Sequence, residues 1–186
     1  MNNWFYIWNT QTPFGWAALG GSPFGARRFD FGYRTRDACM SQARLFADDT
    51  AAHKLRADQL IKHSGPTKGP GWLFAGIVLI TRYFLGESMA LADIPLDLSP
   101  HTAFEKSIWN AAREIPYGQT RPYSWIAAKA GHPGAARAAG NALGANPMPL
   151  LIPCHRIIKA DGCLGGFGMG PDMKEKLIKL EAHASK

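Results

Sequence analysis

Residues 94–100 read Ile-Pro-Leu-Asp-Leu-Ser-Pro, and their two prolines decide how the rest of the chain can be organised. A proline has no backbone donor and pushes the residue before it toward extended backbone. The segment therefore reads as an extended connection, and it splits the 186 residues into a part at 1–96 and a part at 97–186. That length suits one generous domain or two small ones.

The first part begins with an aromatic, β-rich stretch, Asn3–Thr10. Two further strands are expected at Phe14–Leu19 and Ala26–Phe31, joined by the turn-rich link Gly20–Gly25. Residues 35–63 carry apolar side chains at helical spacing, with Cys39, Ala43, Phe46 and Ala47 on one face. Ser64–Gly71 is a loop. The apolar stretch Trp72–Leu85 is interrupted by Arg82 and falls short of the ~20 residues a membrane helix needs, so it reads as a buried core helix.

The second part opens with Thr102-Ala103-Phe104-Glu105. This is a capping box, in which hydroxyl and carboxylate satisfy free N–H groups at a helix start. Phe104, Ile108, Ala111 and Ala112 supply its buried face, and Pro116-Tyr117-Gly118 ends it. Two short helices follow, about Tyr123–Ala130 and Gly134–Leu143, separated by Gly131-His132-Pro133, which is a helix-turn-helix pattern. The small residues Ala135, Ala136, Ala138, Ala139 and Gly140 fit either close approach to DNA or ordinary tight packing. A final helix is expected over Asp172–Ala182, with Pro171 in its first turn and Met173, Leu177 and Leu180 inward.

Between these helices lies Asn146-Pro147-Met148-Pro149, then Leu150-Leu151-Ile152, then Pro153-Cys154-His155-Arg156-Ile157-Ile158. Prolines stiffen the approach to Cys154, and the apolar run places the thiol at the end of a buried, strand-like segment. A cysteine is nucleophilic as its thiolate, which cations, hydrogen-bond donors or a helix N-terminus favour. His155 and Arg156 follow at once. Taken alone these residues leave open a reactive cysteine or a buried structural one. Asp161-Gly162 marks a tight turn, and Gly165-Gly166-Phe167-Gly168 a flexible loop. Residues 1–100 hold 10 Lys/Arg against 8 Asp/Glu, a net of +2, whereas residues 101–186 hold 11 against 6, a net of +5. The positive excess lies where a polyanion would be held.

The segment Pro153–Ile158 resembles the active-site motif of the O6-alkylguanine-DNA alkyltransferases, the methylated-DNA–protein-cysteine methyltransferase family. Ile115-Pro116-Tyr117-Gly118-Gln119-Thr120, Ala136-Arg137-Ala138, Asn146–Pro149 and Gly162-Cys163-Leu164-Gly165-Gly166 are similar to the family's pattern, in its order and at its spacing. The likeness is strong from about residue 94 to 181 and faint before that. It implies an α/β fold in two parts: a ribonuclease-H-like N-terminal domain (1–96), and a mainly helical, winged helix-turn-helix C-terminal domain (97–186) that binds the DNA minor groove.

The resemblance also implies roles. Cys154 is the acceptor, attacking the alkyl carbon of O6-alkylguanine in one displacement. His155 draws the thiol proton through a water, and Glu181 holds the histidine. Asn146 braces the turn between the second short helix and the cysteine. Tyr123 helps rotate the target nucleotide and gives a proton toward the leaving guanine. Arg137, with Ala136 and Gly140 on the DNA side, fills the gap that the extruded base leaves. Extrusion is needed because a thiol cannot reach O6 inside the stack, and a planar guanidinium can stack in the base's place.

Pro149, Ile157, Phe167, Gly168 and Met169 are expected to line the base pocket. Here the chain departs from the family: Phe167 replaces a tyrosine, Met169 a small residue, and Pro171 an aliphatic one. A narrower pocket that disfavours bulky adducts is the expectation. Cys163 is a bystander. Transfer is expected once per molecule, because a thioether is stable.

A damage-recognition relative that binds without transfer is the alternative, and those proteins lack the acceptor that Cys154 provides. A Cys-His hydrolase would need neither Arg137 nor the helix pair. Three cysteines without Cys-x-x-Cys spacing, and six histidines that form no cluster with them, call for no disulfide framework, metal site or cofactor. With no basic segment followed by an apolar run at the N-terminus, the cytoplasm at the nucleoid is expected, or the nucleus of a eukaryote, and the resemblance implies a monomer.

Overall fold

The computed structural model describes residues 5–49, 60–62, 70–89 and 91–184. The chain forms two compact units, Met1–Leu85 with Met89–Asp97, and Gly86–Ser88 with Leu98–Lys186.

The first unit is built on a four-stranded sheet. Strands β1 (Phe5–Thr12), β2 (Gly15–Ser22) and β3 (Gly25–Tyr33) run as an antiparallel meander, helix α1 spans Arg36–Asp49, and β4 (Leu60–Lys62) joins β1 in parallel. The order across the sheet is β3-β2-β1-β4. The pleat sends neighbouring side chains to opposite faces, and β2 is buried on both. Ile7 and Ala18 pack with Cys39, Met40 and Ala43 of α1, flanked by Trp16 and Tyr33. Phe31 stacks on Phe29 at 5.6 Å and meets Phe84 of helix α2 (Gly71–Phe84) at 5.2 Å. Helix α2 buries Leu73, Ile77, Ile80 and Phe84 at the three- and four-residue spacing of a helix stripe, as the sequence leads one to expect. Ala26 donates its N–H to Pro95 and accepts from Asp97, both at 2.8 Å, so the proline-bounded connection lies along the start of β3. The Asp97 carboxylate is held there by Arg27 at 2.6 Å.

Two expectations for this unit need correction. The helical pattern over 35–63 is a helix that ends by Asp49 and a strand at Leu60–Lys62, because pairing with Phe5–Ile7 overrides local propensity; 50–59 and residue 63 fall outside the described residues. The Gly20–Gly25 link shrinks to a two-residue turn, since β2 continues through Gly20 and Gly21. Gly21 sits at a register shift, where an added Cβ would lie 2.1 Å from the Gly25 carbonyl oxygen, so its lack of a side chain serves a close strand approach. Of the other expectations, Asn3 and Trp4 and the loop at 64–69 lie outside the described residues.

The second unit is mainly helical. Helix α3 (Ala103–Arg113) starts with the full capping box: Thr102 Oγ1 accepts from the Glu105 N–H at 3.2 Å, and Glu105 Oε2 accepts from the Thr102 N–H at 3.0 Å. Its inner face carries Trp109, fully buried, whose indole N–H donates to the Ala142 carbonyl at 2.8 Å and ties α3 to the second of the short helices. Phe104 is half-buried and rests on His132. The two short helices are α4 (Tyr123–Lys129) and α5 (Ala136–Gly144). Strand β5 (Arg121–Pro122) pairs in parallel with β6 (Ile157–Ile158), and α6 (Pro171–Ala184) closes the unit.

Two further corrections bear on the site. Residues 150–152 are not strand-like but form a tight turn closed by the Ile152 N–H on the Met148 carbonyl at 2.9 Å. On α6 the innermost stripe is Lys174, Leu177 and Glu181, while Met173 and Leu180 are half-buried. Two ionisable side chains take positions that the apolar pattern assigns to their neighbours.

Candidate active site

The approach to Cys154 is organised by one side-chain amide. Asn146 accepts the Met148 N–H at 2.9 Å and donates its Nδ2 to the Ile152 carbonyl at 2.9 Å and to Cys154 Sγ at 3.1 Å. Inside this turn Leu150 has φ +73°, left-handed backbone that costs an aliphatic residue about 1–3 kcal/mol. The bonds at both ends of the turn hold it there. Pro153 leads into a single 3-10 turn, Cys154–Arg156, and the Cys154 N–H donates to the Ile152 carbonyl at 2.7 Å.

Cys154 is 8 % exposed. Burial pushes its pKa up, and the Asn146 amide and the charge on Lys174 partly oppose this. At rest it is therefore a thiol, and its thiolate must be made by a base when needed. Next to it, His155 is fully buried, with Nε2 2.8 Å from Glu181 Oε1. Desolvation lowers the imidazole pKa, so His155 is neutral at pH 7 and able to accept a proton.

Glu181 gathers more than the histidine. Arg156 Nε donates to Oε2 at 2.9 Å and Nη2 to Oε1 at 2.9 Å, and the Gly118 N–H reaches Oε2 at 3.0 Å. Burial alone would raise the carboxyl pKa, but the hydrogen bonds from His155 and Arg156 and the guanidinium charge outweigh it and hold it at about 2. Arg156 also donates to the Ile115 carbonyl at 2.7 Å and lies over the Tyr117 ring. The carboxylate thus fixes the histidine, while the arginine supplies the charge that keeps the carboxylate ionised.

Two site residues escaped the sequence reading. Lys174 is fully buried, its ammonium bonded to the carbonyls of Ile157 and Gly166 and 5.9 Å above the Tyr123 ring. Desolvation brings its pKa down to about 8, against the pull of Cys154. Lys159 is exposed and lines the pocket described below. Neither carries a sequence signal beyond its position near the motif. Arg156, noted only as Cys154's neighbour, is the central partner of Glu181.

A pocket of about 530 Å³ opens over the thiol, lined by Cys154, Tyr123, Arg137 and Gly140 together with Lys159, Phe167 and others. Of the residues expected to line it, Phe167 and Gly168 do. The structure does not bring Pro149, Ile157 or Met169 to its lining: Pro149 pairs with Ile152 in the turn, Ile157 is fully buried and Met169 is half-buried. Ala136, Arg137 and Gly140 bring α5 to the wall. Tyr123 stands between α5 and the glycine loop. At Gly165, with φ +69°, an added Cβ would sit 2.9 Å from the tyrosine oxygen. Burial, then the Cys154 charge, raises the Tyr123 pKa, so the phenol holds its proton at neutral pH. Among the described residues no three His, Cys, Asp or Glu side chains gather as metal ligands, and no helix is long and apolar enough to cross a membrane.

The site defines a class: proteins in which a buried cysteine, with a carboxylate-anchored histidine beside it, faces a pocket walled by a pair of short helices. Residues 103–183 match the family model described as the 6-O-methylguanine DNA methyltransferase, DNA binding domain. The chain is 41 % identical over 156 residues to the methylated-DNA–protein-cysteine methyltransferase of Mycolicibacterium paratuberculosis, covering 82 % of this chain and 93 % of that one. It is 50 % identical over 103 residues to the enzyme of that name from Methanosarcina acetivorans, covering 55 % and 64 %. Among solved structures it is similar to the O6-methylguanine methyltransferase of Mycobacterium tuberculosis, with a TM-score of 0.68 at 32 % identity over 98 % of this chain and 95 % of that one. A Mycobacterium tuberculosis structure in complex with DNA matches with a TM-score of 0.67 at 31 % identity over 96 % and 94 %. The chain belongs to the methylated-DNA–protein-cysteine methyltransferase family.

Proposed function

We propose that this protein repairs DNA directly, taking the alkyl group of O6-alkylguanine onto Cys154 in a single, stoichiometric transfer. The observation that carries the reading is the thiol at the pocket, held by Asn146 at 3.1 Å beside a neutral histidine anchored on Glu181. The likeness to a relative solved with DNA supports duplex DNA as the partner.

The chemistry follows from the protonation states. With Nε2 of His155 held by Glu181, the relay that draws the Cys154 proton runs through Nδ1, directly or through a water. The forming thiolate is stabilised by the Asn146 amide and the Lys174 ammonium. Sulfur then bonds to the alkyl carbon as the carbon–O6 bond breaks. The guanine anion takes a proton from the Tyr123 phenol, which recovers one from the relay. The products are an S-alkylcysteine and an ordinary guanine. Transfer ends the protein's activity, because a thioether is not hydrolysed at this site.

The target base must leave the stack, which costs a few kcal/mol. Arg137 on α5 fills the vacated place, and Ala136 and Gly140 let the helix lie close in the minor groove. The helix pair with the short β5–β6 pairing supports a winged helix-turn-helix, and the meander with a parallel fourth strand supports a ribonuclease-H-like first unit. The protein acts as a monomer on nucleoid DNA.

A duplex with one O6-methylguanine inside a restriction site tests the reading. The protein is expected to restore cleavage mole for mole, with no second round when fresh duplex is added. Tight binding without restored cleavage would favour the damage-recognition alternative.

A further inference from the structure

The pocket carries two exposed cations on different elements, Arg137 on α5 and Lys159 just after β6, and its lining includes no carboxylate. No carboxylate among the described residues forms an ion pair with either. Lys159 is also held in place. Its N–H donates to the Cys163 carbonyl at 2.8 Å, and its own carbonyl accepts from the Gly162 N–H at 3.1 Å. The acidic side chain on the same turn, Asp161, is directed at the Cys163 N–H, 2.9 Å away. The turn thus presents an exposed ammonium, which the Asp161 charge feels without an ion pair forming, at a pocket that the buried Cys154 also lines.

An extruded nucleotide enters such a pocket base first and leaves its phosphodiester at the rim. A cation there lowers the cost of extrusion, because it gains its partner only in the flipped state. Resting on the DNA-repair reading above, we propose that Lys159 is a positioning residue that holds a phosphate beside the flipped nucleotide, while Arg137 occupies the gap in the stack. Arg137 alone cannot do both, since a guanidinium inside the duplex is turned away from the backbone.

The test compares two substrates and two charges. With a duplex containing O6-methylguanine, Lys159→Ala is expected to slow transfer about tenfold, the order of one charged hydrogen bond, and Lys159→Arg to restore most of it. With O6-methylguanine as the free base there is no phosphate, so the ratio of duplex to free-base rate falls about tenfold in the alanine variant. The salt dependence of duplex binding should lose about 0.9 from its logarithmic slope. Replacing the phosphates flanking the lesion by neutral methylphosphonates should slow the wild type as much as Lys159→Ala does, with little further loss in the combination. An unchanged ratio, or losses that add fully in the combination, would overturn the assignment. Failure of the wild type to take methyl from the duplex would instead sink the repair reading itself.

Discussion

Glu181→Ala is expected to destabilise the second unit by about 3–5 kcal/mol and to slow alkyl transfer at least about a hundredfold. Both effects come from one carboxylate. Its removal leaves the buried Arg156 guanidinium without its main acceptor and His155 without its anchor on Nε2. For a protein of this length the loss is about a 10 °C fall in melting temperature, measured by calorimetry. Glu181→Gln keeps the volume and separates the two effects: it should recover part of the melting temperature while transfer stays slow, because an amide fixes neither the charge nor the histidine tautomer. Rapid transfer by Glu181→Gln would show that the histidine needs no anionic partner.

The same network sets acid stability. Glu181 titrates at about 2 in the fold against an ordinary 4.5, so its contribution is present above pH 4.5 and is lost as pH falls toward 2. His155 has a lowered pKa, so the unfolded chain binds its proton first, and stability begins to fall below about pH 6.5. The two effects have the same sign.

Lys174→Met is expected to change the pH profile of transfer. In the wild type the acid limb lies below pH 6.5, where His155 becomes charged, and an alkaline limb lies near pH 8, where Lys174 loses the charge that steadies the thiolate. The methionine variant should lose the alkaline limb and react about tenfold more slowly at pH 7, the rate lost when thiolate stabilisation drops by about one pK unit. The acid limb should stay where it is. Single-turnover rates from pH 5.5 to 9 check this, and an alkaline limb that persists in the variant would remove Lys174 from the electrostatics of the thiol.

What the sequence reveals and what it hides have physical reasons. The Thr102–Glu105 cap and the α2 stripe are local features, set by neighbours within a turn or two, and both stand in the structure. The fold brings the Asn146 amide to Cys154 and Glu181 to His155, residues far apart in the chain that only the family resemblance links in the sequence. Non-local pairing is harder to see: β4 is three residues long, and only its partner strand shows that Leu60–Lys62 is not helical. The inner face of α6 is misread by one position because Lys174 and Glu181 sit where a core normally takes leucine. A buried polar network inverts the apolar pattern that identifies a core, and a functional site is where that inversion is expected. The same reason hides Lys159, an ordinary surface lysine in sequence that the turn at Asp161-Gly162 brings to the pocket. Ile157 and Pro149, expected in the pocket lining, are absent from it: Ile157 is fully buried and Pro149 pairs with Ile152 in the turn.

The most direct test of the central claim is the intact mass of the protein after mixing with a duplex that contains one O6-methylguanine. A stoichiometric gain of one methylene mass, mapped to the peptide holding Cys154 and absent in Cys154→Ala, is the result expected. An unchanged mass while guanine is regenerated, or a gain that survives Cys154→Ala, would contradict it.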